Sequence, residues 1–202
     1  MRTLVIDTAT ANLSVALFED GVLLGHDHRA VGRGHAEQLI PAIAALPDGG
    51  RADRILVGCG PGSFTGIRIA IAAARALAFA WGADLKGFDS LALVAAQARR
   101  LSGTVDFTIV VEGGHGEWFV ADPPHPARSL TPEDAAAQVT RELVAGSRAA
   151  ELIALRGHGT AIPAEADARE ALALDPASIL THATPLYGRA PDAKVATKLA
   201  IA

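Results

Sequence analysis

Cysteine, methionine and aromatic residues are scarce in this chain of 202 residues, which holds one Cys, one Met, two Trp, one Tyr and six Phe. A single cysteine, Cys59, permits no intrachain disulfide, so folding calls for no oxidising compartment. With aromatics at 4%, the core must be built mainly from Ala, Val, Leu and Ile. A basic excess is missing too. Eighteen Lys and Arg against 22 Asp and Glu leave a formal net charge of −4, which argues against a stand-alone nucleic-acid binder. Residues Met1 to Asp7 lack the long apolar core of a signal peptide. The most apolar stretch, Ile67 to Trp81, is interrupted by Arg68 and Arg75 and reads as too short to cross a bilayer. The expectation is a cytoplasmic protein with no membrane partner. What is plentiful is aliphatic: half of the residues are hydrophobic and a fifth are charged, so a packed core is expected, in one domain or two small ones.

The chain opens with three short β-branched or apolar runs at 3–6, 13–18 and 22–26. The second and third flank Glu19-Asp20-Gly21, a hairpin turn, so the spacing predicts an antiparallel meander rather than the strand-helix opening of a dinucleotide-binding unit. Apolar positions 36, 39, 40, 43 and 46 follow helical spacing, with Pro41 expected to bend or restart the helix. A buried strand at 54–58, a helix from about 66 to 81, a strand at 84–88 and a helix at 91–101 follow. Ser102-Gly103-Thr104 marks the expected boundary between units 1–103 and 104–202. In the second unit, 107–111 and 117–121 bracket a Gly-rich turn, Thr131-Pro132 starts a helix, 151–155 reads as a strand and 164–171 as a short helix.

The most informative segment is Gly60-Pro61-Gly62-Ser63-Phe64-Thr65-Gly66-Ile67-Arg68-Ile69, a sharp turn between a strand and a helix N-terminus. It lacks the Gly-Lys-Ser/Thr ending of a P-loop and the spacing of a dinucleotide fingerprint. Two readings stand: an anion cradle at the helix amides, with Asp7, Thr8, Gly60, Gly62 and Ser63 as possible nucleotide or anion contacts, or a tight structural turn, which is the plainer one. The following helix is apolar on nearly every side. Ile67, Ala70, Ile71, Ala74, Ala78 and Trp81 mark one stripe, Ile69, Ala73, Ala76 and Ala80 a second, and Arg68, Ala72, Arg75 and Phe79 a third. A helix so poor in polar surface is either fully internal or packed on its sheet and on a partner as well, and the size of the unit favours the partner.

These segments resemble the TsaB (YeaZ) family. The 60–69 segment is similar to that family's signature, and the related catalytic subunit TsaD carries a comparable Gly-Pro-Gly segment. Leu4 to Thr10 with Ser14 to Leu17, Gly34 to Pro41, and Pro185-Leu186-Tyr187-Gly188-Arg189 with Asp192-Ala193-Lys194 agree in order and spacing. The resemblance implies an α/β fold of the actin-like ATPase (ASKHA) type, with two related subdomains, each a mixed sheet with flanking helices. It also implies a non-catalytic subunit that binds and activates TsaD, which transfers a threonylcarbamoyl group to N6 of adenosine 37 in ANN-decoding tRNAs. TsaE is then a further partner, tRNA is met only through the complex, and the chain also self-associates as a homodimer through the same two helices. On that resemblance the expected interface residues are His35, Leu39, Ile43, Ile67, Ala70, Ile71, Ala74 and Ala78. No cofactor of its own is expected, with ATP or ADP admitted only at the complex interface.

Two catalytic alternatives are weaker. The resemblance places Ser90 and Val94 where TsaD-type proteins hold a metal with two histidines, and valine ligates nothing. His26 and His28 form the one close histidine pair, on a strand, where an exposed hairpin face is the plainer reading than a metal. An autonomous kinase or ATPase of the same superfold would need two phosphate loops with their metal. Here Ala9 replaces the glycine of the usual Asp-x-Gly-x-Thr loop, and Glu112-Gly113-Gly114 only approximates the second. The arginine that the family carries in that second hairpin is absent from Glu112 to Glu117. Cys59 and Ser63 have no histidine nearby in sequence, and a lone cysteine after a buried strand reads as core. A homodimeric regulatory paralogue is a third possibility.

Overall fold

The computed structural model describes residues 1–32, 34–123 and 125–188. Arg189 and the Asp192-Ala193-Lys194 part of the C-terminal motif lie outside the described residues.

Strands β1 (Arg2–Asp7), β2 (Asn12–Glu19) and β3 (Val22–Ala30) form the expected antiparallel meander. The β2–β3 turn needs two positive φ values, 48° at Asp20 and 83° at Gly21, which Asp and Gly tolerate better than most residues. Helix α1 (His35–Ala44) then crosses over to β4 (Arg54–Gly58), parallel to β1, and α2 (Phe64–Trp81) crosses to β5 (Asp84–Phe88), parallel to β4. Pro41 lies inside α1, which runs through it without a restart. Leu4, Ile6, Leu13, Val15, Leu17, Ile55 and Val57 bury one face of the sheet with the inner sides of α1 and α2. Alternation sends Val5, Ala16 and Phe18 to the opposite face, which packs with α3 (Ser90–Ser102) and with Phe107, Ile109 and Val111 of the second half.

The second sheet repeats the first in topology. Strands β6 (Thr108–Gly114), β7 (Glu117–Ala121) and β8 (Arg128–Leu130) form a meander. Helix α4 (Pro132–Gln138) leads to β9 (Leu143–Ala145), parallel to β6, and α5 (Ala149–Arg156) leads to β10 (Thr160–Ile162), parallel to β9. The spatial orders β5-β4-β1-β2-β3 and β10-β9-β6-β7-β8 are therefore the same arrangement built twice. One strand breaks the division by sequence: β11 (Ile179–Leu180) returns from the second half and pairs antiparallel with Phe88 and Gly87 at the edge of the first sheet.

Two elements differ from the sequence-based expectation. Residues 151–155 are helical, within α5, because only Ala149 and Leu152 of that helix are buried and Gly157 at φ 80° ends it as a left-handed cap. Residues 164–171 are not a helix. Ala164, Ala166 and Ala168 are buried against the first sheet, and only Ala168–Ala173 coils, as a 3-10 turn capped by the Asp167 carboxylate.

Candidate functional site

The Gly-Pro-Gly turn packs directly on the β1–β2 turn. Gly60 sits at φ 96° and is joined to Pro61 by a cis peptide. A Cβ at Gly62 would meet the Ala9 carbonyl oxygen at 2.1 Å, and one at Gly66 would meet the Thr8 carbonyl oxygen at 1.9 Å. The glycines are required because two backbones touch there. The Ser63 amide donates to the Ala9 carbonyl at 2.6 Å, and the Thr8 hydroxyl donates to the Gly66 carbonyl at 2.7 Å. Ser63 caps α2, its hydroxyl oxygen accepting from the Gly66 amide at 3.2 Å.

Asp7 is fully buried under this turn. Its Oδ1 accepts from the Ala9 amide at 2.9 Å and its Oδ2 from the Ser90 hydroxyl at 2.6 Å. The Ser90 oxygen in turn accepts from the Gly60 amide at 3.1 Å, while the Ser90 amide donates to the Gly60 carbonyl at 2.8 Å. Gly58 makes room for the carboxylate, since a Cβ there would lie 1.9 Å from Oδ2. Burial pushes the Asp7 carboxyl up from 3.8 to about 6, against the opposing pull of the bonds from Ser90 and Ala9. Burial likewise raises the Cys59 thiol to about 11, so it is not a thiolate at neutral pH.

This geometry corrects the anion-cradle alternative. Asp7 and Thr8 have no exposed surface, Gly60 is buried, Gly62 faces the Ala9 carbonyl, and the Ser63 hydroxyl is used as a cap. Ser90 and Val94 are buried as well, with Ser90 serving as the link between Asp7 and Gly60. Among the described residues no group of three His, Cys, Asp or Glu could hold a metal ion. His28 is not a free hairpin residue: its ring bridges the Ser14 hydroxyl at 3.0 Å and the Glu165 carboxylate at 2.9 Å, tying the 164–171 segment to β2 and β3. At the second hairpin an arginine arrives from elsewhere in the chain, as Arg148, at the start of α5, donates to Glu112 at 2.7 Å.

The expected interface residues need a larger correction. His35, Leu39, Ile43, Ile67, Ala70, Ile71, Ala74 and Ala78 are all buried within the chain, because the most apolar stripe of each helix goes to its own sheet. The outer face of α2 is the stripe that carries its two charges: Phe64, Arg68, Ala72, Arg75, Ala76 and Phe79 are exposed, Phe79 to 91%. Phe64, Phe79 and Tyr187 lie outside the expected set, although two arginines on an otherwise uncharged helix mark its water side. With 18 residues, starting three positions before Ile67, α2 is by length and composition apolar enough to cross a membrane. Its inner stripe is instead used on the sheet.

At the start of that outer face the C-terminal motif folds back. The Leu186 amide donates to the Cys59 carbonyl at 2.7 Å, and Arg75 donates to the Ala183 carbonyl at 2.8 Å. The Tyr187 ring packs on Phe64 with centroids 5.2 Å apart. The Arg68 guanidinium lies 3.5 Å over the Phe64 ring, and its Nε donates to the Tyr187 hydroxyl at 3.3 Å. The motifs at 7–10, 58–66, 90 and 183–188 thus converge on one place.

Comparison with known proteins bears on what that place is. A family model described as "TsaD: tRNA N6-adenosine threonylcarbamoyltransferase" matches residues 29–195. The Escherichia coli K12 "tRNA threonylcarbamoyladenosine biosynthesis protein TsaB" is 34% identical over 127 residues, covering 60% of this chain and 54% of that one. The chain spans about half the length of the curated relatives it matches. Among solved structures, YeaZ from Pseudomonas aeruginosa superposes with a TM-score of 0.75 at 26% identity, over 92% of this chain and 99% of that one. Ethanolamine utilization protein EutJ from Carboxydothermus hydrogenoformans, at a TM-score of 0.51 and 13% identity over 84% and 88%, shares the fold alone. With most of its length under that family model and its doubled, actin-like architecture shared with YeaZ, the chain belongs to the TsaD (tRNA N6-adenosine threonylcarbamoyltransferase) family, where the relatives it resembles are TsaB (YeaZ) proteins.

Proposed function

We propose that the chain acts in threonylcarbamoyladenosine formation on tRNA as a non-catalytic subunit that binds and activates TsaD, the transferase acting on N6 of adenosine 37 in ANN-decoding tRNAs. The observation that carries this reading is the pairing of a closed interior with an open helix face. Asp7, the one carboxylate at the first phosphate-loop position, is buried and bonded to Ser90 and Ala9. By contrast, α2 leaves Phe64, Phe79 and a run of alanines in water, beyond what a solvated face needs. A surface of that kind supports a docking role, with catalysis, metal and tRNA supplied by TsaD. In this scheme TsaE joins the complex, any ATP or ADP sits at the interface between chains, and the homodimer uses the same face in TsaD's absence.

The test is threonylcarbamoyl transfer by the organism's purified TsaD, with and without this chain, using wild type and Phe79→Asp. The variant changes an almost fully exposed position, so it should fold and fail to support transfer. Transfer at the full rate without the chain sinks the proposal, as does unaltered support by the variant. Turnover of Mg-ATP by the isolated chain would favour an autonomous enzyme instead.

A further inference from the structure

The outer face of α2 is not one helix alone. Residues 182–188 lie along it and contribute Tyr187, held by Phe64 and Arg68, while Arg75 grips the Ala183 carbonyl. The stack is half exposed, with Phe64 at 51% and Tyr187 at 47%. Arg68 is exposed and points its Nε at Tyr187, and among the described residues nothing bonds its two Nη groups. Neither α2 nor the 182–188 segment carries a single Asp or Glu, on a chain whose overall charge is −4. A guanidinium pinned flat by an aromatic ring and a phenol has lost most of its rotamer freedom before any contact is made, which lowers the cost of pairing it.

We infer that Phe64, Arg68 and Tyr187 form a composite anchor, which takes a carboxylate side chain set in an apolar patch of a partner protein, with Phe79 as the apolar contact further along the helix. The inference rests on the subunit reading above and specifies its chemistry. The C-terminal segment is then a working part of the docking surface. Tyr and Arg are the residue types that dominate interface energetics, and the acid is called for because the anchor presents two donor groups unmatched among the described residues, beside a net positive helix face. A nucleic acid is the disfavoured occupant, since the chain as a whole carries a formal net charge of −4.

The experiment is calorimetric titration of the organism's TsaD with the full chain, comparing wild type, Arg68→Glu, Arg68→Lys and Tyr187→Ala, with thermal melting of each as a folding control. Arg68→Glu and Tyr187→Ala should weaken binding about 30-fold or more, with Arg68→Lys in between because lysine keeps the charge and loses the fork. Added salt should weaken wild type and leave Arg68→Glu almost unchanged. No binding by wild type overturns the subunit reading and the anchor with it. Wild-type binding with both variants within threefold of it overturns the anchor alone. Retention of tRNA by the isolated wild-type chain that Arg68→Glu abolishes also overturns it, in favour of a nucleic-acid site.

Discussion

Replacing Asp7 by Asn should change how stability depends on pH. The carboxylate has no cationic partner among its bonds; it is held by the Ser90 hydroxyl and the Ala9 amide, and burial raises it from 3.8 to about 6. The folded state therefore binds the proton more tightly than the unfolded chain. Stability contributed through this group is highest below about pH 4, falls as pH rises towards about 6, and is level above that. At ~1.4 kcal/mol per tenfold change in proton affinity, keeping the group charged at neutral pH costs the fold ~3 kcal/mol. Asparagine is nearly isosteric and does not titrate, so its packing cost is the same at every pH. Urea unfolding of wild type and Asp7→Asn at pH 4, 5, 6 and 7 isolates the difference. The variant should gain ~2 kcal/mol on wild type between pH 4 and pH 7, most of it below pH 6. Parallel stability curves for the two proteins would refute the reasoning, because they would give the Asp7 carboxyl the same proton affinity folded and unfolded. Such a cost at working pH is tolerable only if the bonds from Asp7 organise something, and what they organise is the turn under the α2 N-terminus.

Three further outcomes follow from the same contacts. Gly62→Ala should lower stability by ~1–3 kcal/mol through collision with the Ala9 carbonyl, whereas Gly103→Ala, at φ 72° with open space around it, should cost only ~1 kcal/mol; thermal melting compares them. Ser63→Ala removes the α2 cap and should cost ~1 kcal/mol in urea unfolding, with Ser63→Thr restoring most of it. Burial works against the charged form of Asp167, but the side-chain and backbone bonds from Arg169 outweigh it and leave the carboxyl below its usual value of 3.8. Its stabilisation is present above that value and lost as pH falls below it, so Arg169→Met should flatten this limb of the acid-unfolding curve.

The elements that could be read from the sequence are those whose signals are local. The Asp20-Gly21 turn between alternating runs, the Ser63 cap and the Thr131-Pro132 start each depend on neighbours within a few residues. The duplication is legible in outline, since the family resemblance implies two related subdomains, while its extent, the same spatial order of five strands built twice, shows only in the sheets. Strand β11 has two residues and no pattern of its own; it exists because β5 offers Ile179 and Leu180 an open edge at Phe88 and Gly87. The 151–155 segment is too short for periodicity to separate strand from helix, and the deciding signal was the left-handed Gly157 behind it.

Which face of α2 is exposed escapes a reading by hydrophobicity for a different reason. Three apolar stripes on one helix leave its rotation undetermined if hydrophobicity is the only criterion. The stripe chosen as the interface, through Ile67, Ala70, Ile71, Ala74 and Ala78, was the one with the largest aliphatic side chains, which is also the one a sheet of Leu, Ile and Val buries best. Charge settles the rotation: Arg68 and Arg75 cannot enter that core, so Phe64 and Phe79, on their side, must face outward. The Gly-Pro-Gly turn shows the same limit. Glycines that admit a phosphate and glycines that admit a neighbouring backbone have the same spacing. What distinguishes them is the group facing them, here the Thr8 and Ala9 carbonyls, more than fifty residues earlier in the chain. A carbonyl oxygen is a hydrogen-bond acceptor and repels an anion, so once those two residues face the turn the cradle is filled by the protein's own backbone.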